Sequence, residues 1–322
     1  MRTARRAVPM RARAARWIEG AHDELTAFFA ELDGGGAFRE DRWERPGGGG
    51  GVTRVMSEGA TFEKLGVNRF LGGGPLTADA ARQLGGRVGA EDGIHFFATG
   101  VSVVAHPRSP LVPTVHLNVR YFELAGEDGV VLDAWFGGGT DLTPTYPFPD
   151  DAAHFHRVLR EVCAKHSPDF HPRFKAWCDR YFASPHRGGE PRGVGGIFFD
   201  HLRPAEEGLS PEALMAFADE VGRVLPAAYG PLVEARRDEP FSERERAFQL
   251  FRRGRYVEFN LLHDRGTTFG LRTDARVESV LMSLPPLAAW EYAPTWEKGS
   301  FEAELMEMLR PRDWAGHAAA SR

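Results

Sequence analysis

The stretch "IHFFATGVSVVAHPRSPLVPTVHLNVRYFELAGEDGVVLDAWF", residues 94–136, decides the fold. Three runs in it, "IHFFATGVSVVAH", "TVHLNVRYFEL" and "GVVLDAWF", place apolar residues at every second position, which is the side-chain period of a β-strand. A Pro-rich loop and the tight "AGEDG" separate them, so the spacing predicts consecutive antiparallel strands in a meander. In the middle run His116, Asn118 and Arg120 share one face, while Leu117, Val119 and Tyr121 share the other. A titratable ring, an amide and a fixed positive charge do not make a core. Ser102, Val104 and His106 share a face of the first run in the same way. Such a face is either the water side of an antiparallel sheet or the floor of a pocket.

Outward from the meander, the period changes to that of a helix. Leu25, Phe28, Phe29 and Leu32 predict an amphipathic helix over 19–33 that stops at Gly34–Gly36. The glycine run at 47–51 is followed by no Gly-Lys-Ser/Thr and leads into a strand, so it reads as a turn rather than a phosphate cradle. Beyond the meander, Phe155, Val158, Leu159 and Val162, then Phe174, Trp177, Cys178 and Tyr181, carry helical spacing. Ser210-Pro211-Glu212 is a helix start, serving Leu214, Phe217, Ala218 and Val221. The late segments "GRYVEFNLLHD", "TTFGLRT" and "RVESVLMSLPP" read as strands, which puts Tyr256, Glu258 and Asn260 on one face, and a short helix is expected near 300–309. Strand blocks separated by helices argue for an α+β fold: a single domain with a large, mainly antiparallel sheet and enough apolar helix to cover both faces.

The 322 residues carry a formal net charge of -5, with 42% hydrophobic and 26% charged residues. No basic field points to nucleic acid, and no apolar run reaches membrane-span length. Two cysteines, Cys163 and Cys178, exclude a disulfide framework and a thiolate-held iron–sulfur cluster, so a reducing, cytoplasmic setting is expected. Residues 1–16 hold Arg2, Arg5, Arg6, Arg11, Arg13 and Arg16 and no acid. They are expected to form a disordered basic leader outside a domain spanning 17–322.

Several residues have the chemistry of a site. His106, His116, His154, His156 and His186 are candidate metal ligands, although His154 and His156 diverge at helical spacing. His106 and His116 with Asp141 would also suit the two-histidine, one-carboxylate iron site of an oxygenase. Asp141 follows Gly137–Gly139 in "WFGGGTDLTPTYPF", where it is either a turn former or a functional carboxylate, and the glycines would admit a bulky ligand. Arginines recur at Arg187 and Arg192, at Arg252, Arg253 and Arg255, and at Arg272 and Arg276. Several of them converging would bind a ligand with multiple carboxylates.

From about Arg45 to Trp314 the chain resembles the oxygen-dependent coproporphyrinogen III oxidase family, through "GVSVVAHPRSPLVPTVHLNVRYFE", "WFGGGTDLTPTYPF", "HRGGEPRGVGGIFFD" and "RRGRYVEFNLLHDRGTTFGL". The resemblance implies a homodimer that converts two propionates of coproporphyrinogen III to vinyls, giving protoporphyrinogen IX, carbon dioxide and hydrogen peroxide. Molecular oxygen would be co-substrate, with no organic cofactor. It implies His116 as proton donor, Arg120 and Asp141 as the pair orienting the macrocycle, and Asp141 as acceptor of its pyrrole N–H groups. It implies Ser102, Asn118, Val119, Arg120, Asp274, Ala275 and Arg276 as substrate contacts, and His106, His116, His156 and His186 as ligands of a divalent metal such as manganese. Asp274-Ala275 stands where many members have Gly-Gly. A non-catalytic tetrapyrrole carrier is the remaining alternative.

Overall fold

A computed structural model describes residues 8–45, 48–89, 92–272 and 276–317. Helix α1 (Met10–Asp33) is followed by β1 (Phe38–Glu44), β2 (Gly49–Ser57), β3 (Phe62–Leu76), the short α2 (Ala78–Gln83), β4 (Ile94–Pro107), β5 (Thr114–Ala125) and β6 (Val131–Thr143). Helices α3 (Pro149–Ala164) and α4 (Phe170–Tyr181) come next, then a small ladder of β7 (Ala183–Ser184) with β8 (Glu190–Pro191), and β9 (Gly195–Leu202). The chain ends in helices: α5 (Pro204–Glu207), α6 (Pro211–Gly222), α7 (Leu225–Ala228), α8 (Gly230–Arg236), α9 (Glu243–Leu262), α10 (Arg265–Arg272), α11 (Val277–Val280) and α12 (Phe301–Met308).

The large sheet has the order β1-β2-β3-β4-β5-β6-β9, and each neighbouring pair is antiparallel. The meander read from the sequence is its centre. One face is the core: Val101, Val103, Val115, Leu117, Val119 and Tyr121 are buried against Trp17, Leu25 and Phe29 of α1 and Leu214, Phe217 and Val221 of α6. The opposite face is covered at one end by α2, which packs with Ile94, Leu124 and Trp135. At the other end Tyr256 of α9 meets the His106 ring edge-on at 5.1 Å, and Met282 lies against Gly66. Between these covers, the polar side chains of β4, β5 and β6 line up.

Two expectations are corrected. The first helix begins at Met10, with Ala14 fully buried, so residues 10–16 belong to the fold rather than to a leader; residues 1–7 lie outside the described part. Arg11, Arg13 and Arg16 occur among core-facing Ala14, Trp17 and Ile18, and this close alternation of charge and small apolar residues hid the helical stripe.

The late strands are helices. Ser242 caps α9 in a reciprocal capping box with Glu245, and Phe248, Arg252, Arg255 and Phe259 recur at helical spacing on its buried side. Arginine at two of those positions masked the period, and the aromatic run "RYVEFNLL" mimicked a strand. Likewise "TTFGLRT" falls largely in α10, and "RVESVLMS" forms α11 and a following 3₁₀ turn, Leu281–Ser283.

Candidate functional site

Strand register assembles the site. His116 of β5 pairs with Asp141 of β6, which pairs with Gly196 of β9, so one row across the sheet brings the imidazole and the carboxylate together. His116 Nδ1 lies 2.8 Å from Asp141 Oδ1, and Arg192 Nη2 donates to Asp141 Oδ2 at 2.7 Å. Arg192 Nη1 also donates to Asn260 Oδ1 at 3.0 Å. Its guanidinium is enclosed by Phe182, Tyr256 and Phe259, with ring centroids at 4.1, 4.5 and 5.0 Å. Burial alone would raise the Asp141 pKa, but the Arg192 charge and the His116 hydrogen bond outweigh it and hold the carboxyl below its ordinary range. An ionised Asp141 makes Nδ1 of His116 the donor, leaving Nε2 to act. Asp141 is only 1% exposed, while the His116 side chain is 23% exposed, so the histidine is the member of the pair that reaches the open face.

The next row carries the positive charge. Asn118 Nδ2 donates to Ser102 Oγ at 2.7 Å and to the Val101 carbonyl at 3.2 Å, while its Oδ1 accepts from Arg120 Nη1 at 2.6 Å. Arg120 Nη2 meets Asp200 Oδ1 at 2.8 Å, and Arg265 approaches the other Asp200 oxygen at 3.4 Å. Arg120 pairs across the sheet with Gly137, where a Cβ would come within 2.8 Å of the guanidinium. That glycine therefore clears a place for the arginine rather than for ligand backbone contact.

The structure brings His116, Asp141, Arg120, Asn118 and Ser102 onto one face, but several expected roles change. Arg120 pairs with Asp200 and not with Asp141. Asp141 is buried, with one oxygen engaged by His116 and the other by Arg192. The Val119 side chain points into the core and is 0% exposed, because it occupies the alternate position of β5. Arg276 binds Asp41 at 2.5 Å, and Asp274 and Ala275 lie outside the described residues. Of the other arginines, Arg252, Arg253 and Arg255 are buried against Glu190, Glu63 and Glu258 instead of converging on an open cleft.

The four histidines do not form a metal centre. His106 Nε2 is 2.8 Å from the Ser283 carbonyl, and His156 Nε2, in α3, is 3.1 Å from the Val194 carbonyl. His186 is engaged by His263 at 2.7 Å and by Glu258 at 3.0 Å. Among the described residues no three His, Cys, Asp or Glu side chains are grouped to hold an ion, which also removes the iron site of His106, His116 and Asp141. These histidines come from four different elements, and sequence spacing could not show that each ring turns to its own partner.

Arg192, Asp200 and Arg265 are the residues the sequence reading did not single out for these roles. Reading 195–202 as a strand would have placed Asp200 on the face of Gly196, but the pairing of Arg192 with Asp141 needs the tertiary fold.

Fold and geometry together define an α+β protein with an antiparallel sheet, one face of which carries a carboxylate-backed histidine beside an arginine fork. The chain matches the family model described as coproporphyrinogen III oxidase over residues 13–314, and it belongs to that family. It is 48% identical over 311 residues to the chloroplastic oxygen-dependent coproporphyrinogen-III oxidase of Glycine max, covering 95% of this chain and 80% of the relative. It is 49% identical over 332 residues to the oxygen-dependent coproporphyrinogen-III oxidase of Parasynechococcus marenigrum, covering 96% and 88%. Against the mitochondrial human protein of the same name it is 50% identical over 291 residues, covering 88% of this chain and 63% of the human one.

Proposed function

We propose that the polar face between α2 and α9 binds coproporphyrinogen III, with His116 and Arg120 as the groups that touch it. The protein is an enzyme, and its reaction is the oxygen-dependent oxidative decarboxylation of that substrate in haem biosynthesis. The single observation that carries the assignment of the site is the row His116–Asp141–Arg192, an ionised carboxylate buried under a histidine that is itself partly exposed beside Asn118 and Arg120.

In this reading a propionate takes one side of the Arg120 fork, in exchange for Asp200 or alongside it, and Asn118 Oδ1 holds the other guanidinium nitrogen. His116 Nε2 moves a proton, and Asp141 with Arg192 fixes its tautomer and charge without touching the macrocycle. Molecular oxygen is the electron acceptor and the electron-rich tetrapyrrole supplies the electrons, so no organic cofactor is assigned.

Among the described residues no helix is long and apolar enough to cross a membrane. A cytoplasmic setting is proposed from the two buried free thiols, Cys163 and Cys178. A homodimer is proposed from the exposed Leu261 and Leu262 at the C-terminal end of α9 and from the exposed Leu287, Trp290 and Tyr292 of the segment that crosses the middle of that helix.

The test is anaerobic mixing of chelator-treated protein with coproporphyrinogen III, then oxygen addition and chromatography. Vinyl product with equimolar hydrogen peroxide per propionate, abolished by Arg120→Ala, supports the reading; turnover that survives both Arg120→Ala and His116→Gln would overturn the site.

A further inference from the structure

Strand register extends the polar face well beyond Arg120. Residues directly opposite one another in antiparallel neighbours share a face. The row through Arg120 therefore runs back through Gly100 of β4, Phe70 of β3 and Gly51 of β2 to Trp43 of β1. In this row each large side chain lies over a glycine of the next strand. A Cβ on Gly51 would collide with the Trp43 ring, and one on Gly100 would stand 2.9 Å from the Phe70 ring and 3.0 Å from Arg120 Cβ. Phe70 and Arg120 are thus neighbours on one floor, and both are half-buried rather than covered.

Two residues further along β3, Gly72 faces the same way, and a Cβ there would come 2.6 Å from Arg45 Nη1. Arg45 directly follows β1 with its backbone fixed: its N–H donates to the Gly49 carbonyl at 3.1 Å, and its carbonyl accepts from the Gly48 N–H at 3.0 Å. Its guanidinium lies on the polar face, half-buried, and forms no ion pair among the described residues. The nearby acids of β1 are already committed, Glu40 to Arg54 and Asp41 to Arg276. Arg120, by contrast, is engaged by Asp200, and Lys64 Nζ by the Leu284 carbonyl at 2.8 Å.

We propose that Arg45 is a second carboxylate anchor for coproporphyrinogen III, with Phe70 as the aromatic platform between it and Arg120. The inference rests on the assignment of the polar face made above. Its substrate carries four propionates, and the Arg120 fork seats one of them. An unpaired guanidinium on the same floor is matched to another, because the planar fork binds a carboxylate through two parallel hydrogen bonds. The positions of Gly72 and Arg120 are two strands and two residues apart, roughly 12 Å at ordinary strand spacings, a span that one tetrapyrrole with its propionate arms covers. Phe70 lies within that span and offers its ring to a pyrrole. Holding a propionate far from His116 fixes which arm of the macrocycle lies beside the histidine, so binding at Arg45 is spent on orientation.

The experiment is anaerobic equilibrium binding to Arg45→Gln, Arg45→Lys, Arg120→Ala and the parent, with thermal melts as the check on folding. The probes are coproporphyrinogen III and four analogues, each with a propyl group in place of one propionate. For coproporphyrinogen III, Arg45→Gln should raise Kd roughly tenfold or more, the loss of a charge-assisted hydrogen bond, and Arg45→Lys should recover part of it by keeping the charge without the fork. For one analogue, the one lacking the arm that Arg45 holds, Arg45→Gln should cause no further loss. Melting temperatures should match the parent, since the guanidinium has no ion pair to lose. Parental Kd in folded Arg45→Gln, alongside weakened binding in Arg120→Ala, would overturn the second anchor and leave the site assignment standing. An equal loss for all four analogues would also overturn it, showing that Arg45 acts through its field and not by contact. Parental Kd in Arg120→Ala would overturn the site assignment itself.

Discussion

The two faces of β5 are one residue apart in sequence and serve opposite ends. Val115, Leu117, Val119 and Tyr121 are at most 2% exposed and pack among aliphatic and aromatic neighbours, where volume matters more than partner identity. His116, Asn118 and Arg120 are half-buried, and each is held by a named atom: an Asp141 oxygen, the Ser102 hydroxyl, an Asp200 oxygen. The core face is stabilised by area removed from water, the polar face by matched donors and acceptors in a site that must still open to a ligand. The difference implies that stability and activity can be damaged separately by substitutions at adjacent positions, except where a polar-face partner is itself fully buried.

Arg192 is that exception and gives the largest expected effect. Arg192→Met leaves the Asp141 carboxylate buried with only His116 as partner, and breaking such a buried pair from one side costs about 3–5 kcal/mol. Both unfolding free energy and turnover should fall. The comparison sharpens with Arg192→Met/Asp141→Asn, which removes the stranded charge: urea denaturation should recover most of the stability while turnover stays absent. A single Arg192→Met variant that melts with its parent would break the picture of a buried, obligatory ion pair.

Leu117→Ala probes the other face. Leu117 is fully buried, and truncation should cost about 2–5 kcal/mol through lost burial and the cavity left behind. Measured at a temperature where the variant is folded, kcat should match the parent. A large kcat loss there would mean that the core face transmits its packing to His116 and that the two faces are not independent.

The sheet was legible because β4, β5 and β6 alternate strictly, and alternation is a local property. The polar face was legible for the same reason, down to His116, Asn118 and Arg120. In β3 the run Gly72–Gly74 hides a strand, because glycine has no strand propensity and nothing in the local pattern marks it. Helix α9 was misread because Arg252 and Arg255 occupy stripe positions where the eye expects leucine; Arg252 is satisfied by Glu190 and the Pro191 and Arg192 carbonyls of another segment, and Arg255 by Glu258 of its own helix. Asp141 was found, but its orientation was not. That depends on Arg192, distant in sequence and brought up by β8 and β9, and tertiary ion pairs leave no trace in the spacing of either partner.

The smallest effect concerns buried histidines and appears only in acid. His22 of α1 packs on the core face with neither ring nitrogen partnered among the described residues, and burial, assisted by Arg54 and Arg69, lowers its pKa from 6.5 to about 4. Since the folded pKa lies below the unfolded one, the unfolded chain binds the extra proton first. Stability is therefore whole above pH 6.5 and declines as pH falls toward 4, before most carboxylates titrate. On the polar face His106, also buried, adds to the slope in the same direction. His22→Leu should leave the unfolding free energy near neutral pH close to the parent and reduce the loss between pH 7 and pH 5 by about 2 kcal/mol, the linkage expected for such a shift. Chemical denaturation at the two pH values measures it. An unchanged slope would show that His22 takes up its proton without cost and that the core face is more open to water around α1 than its burial implies.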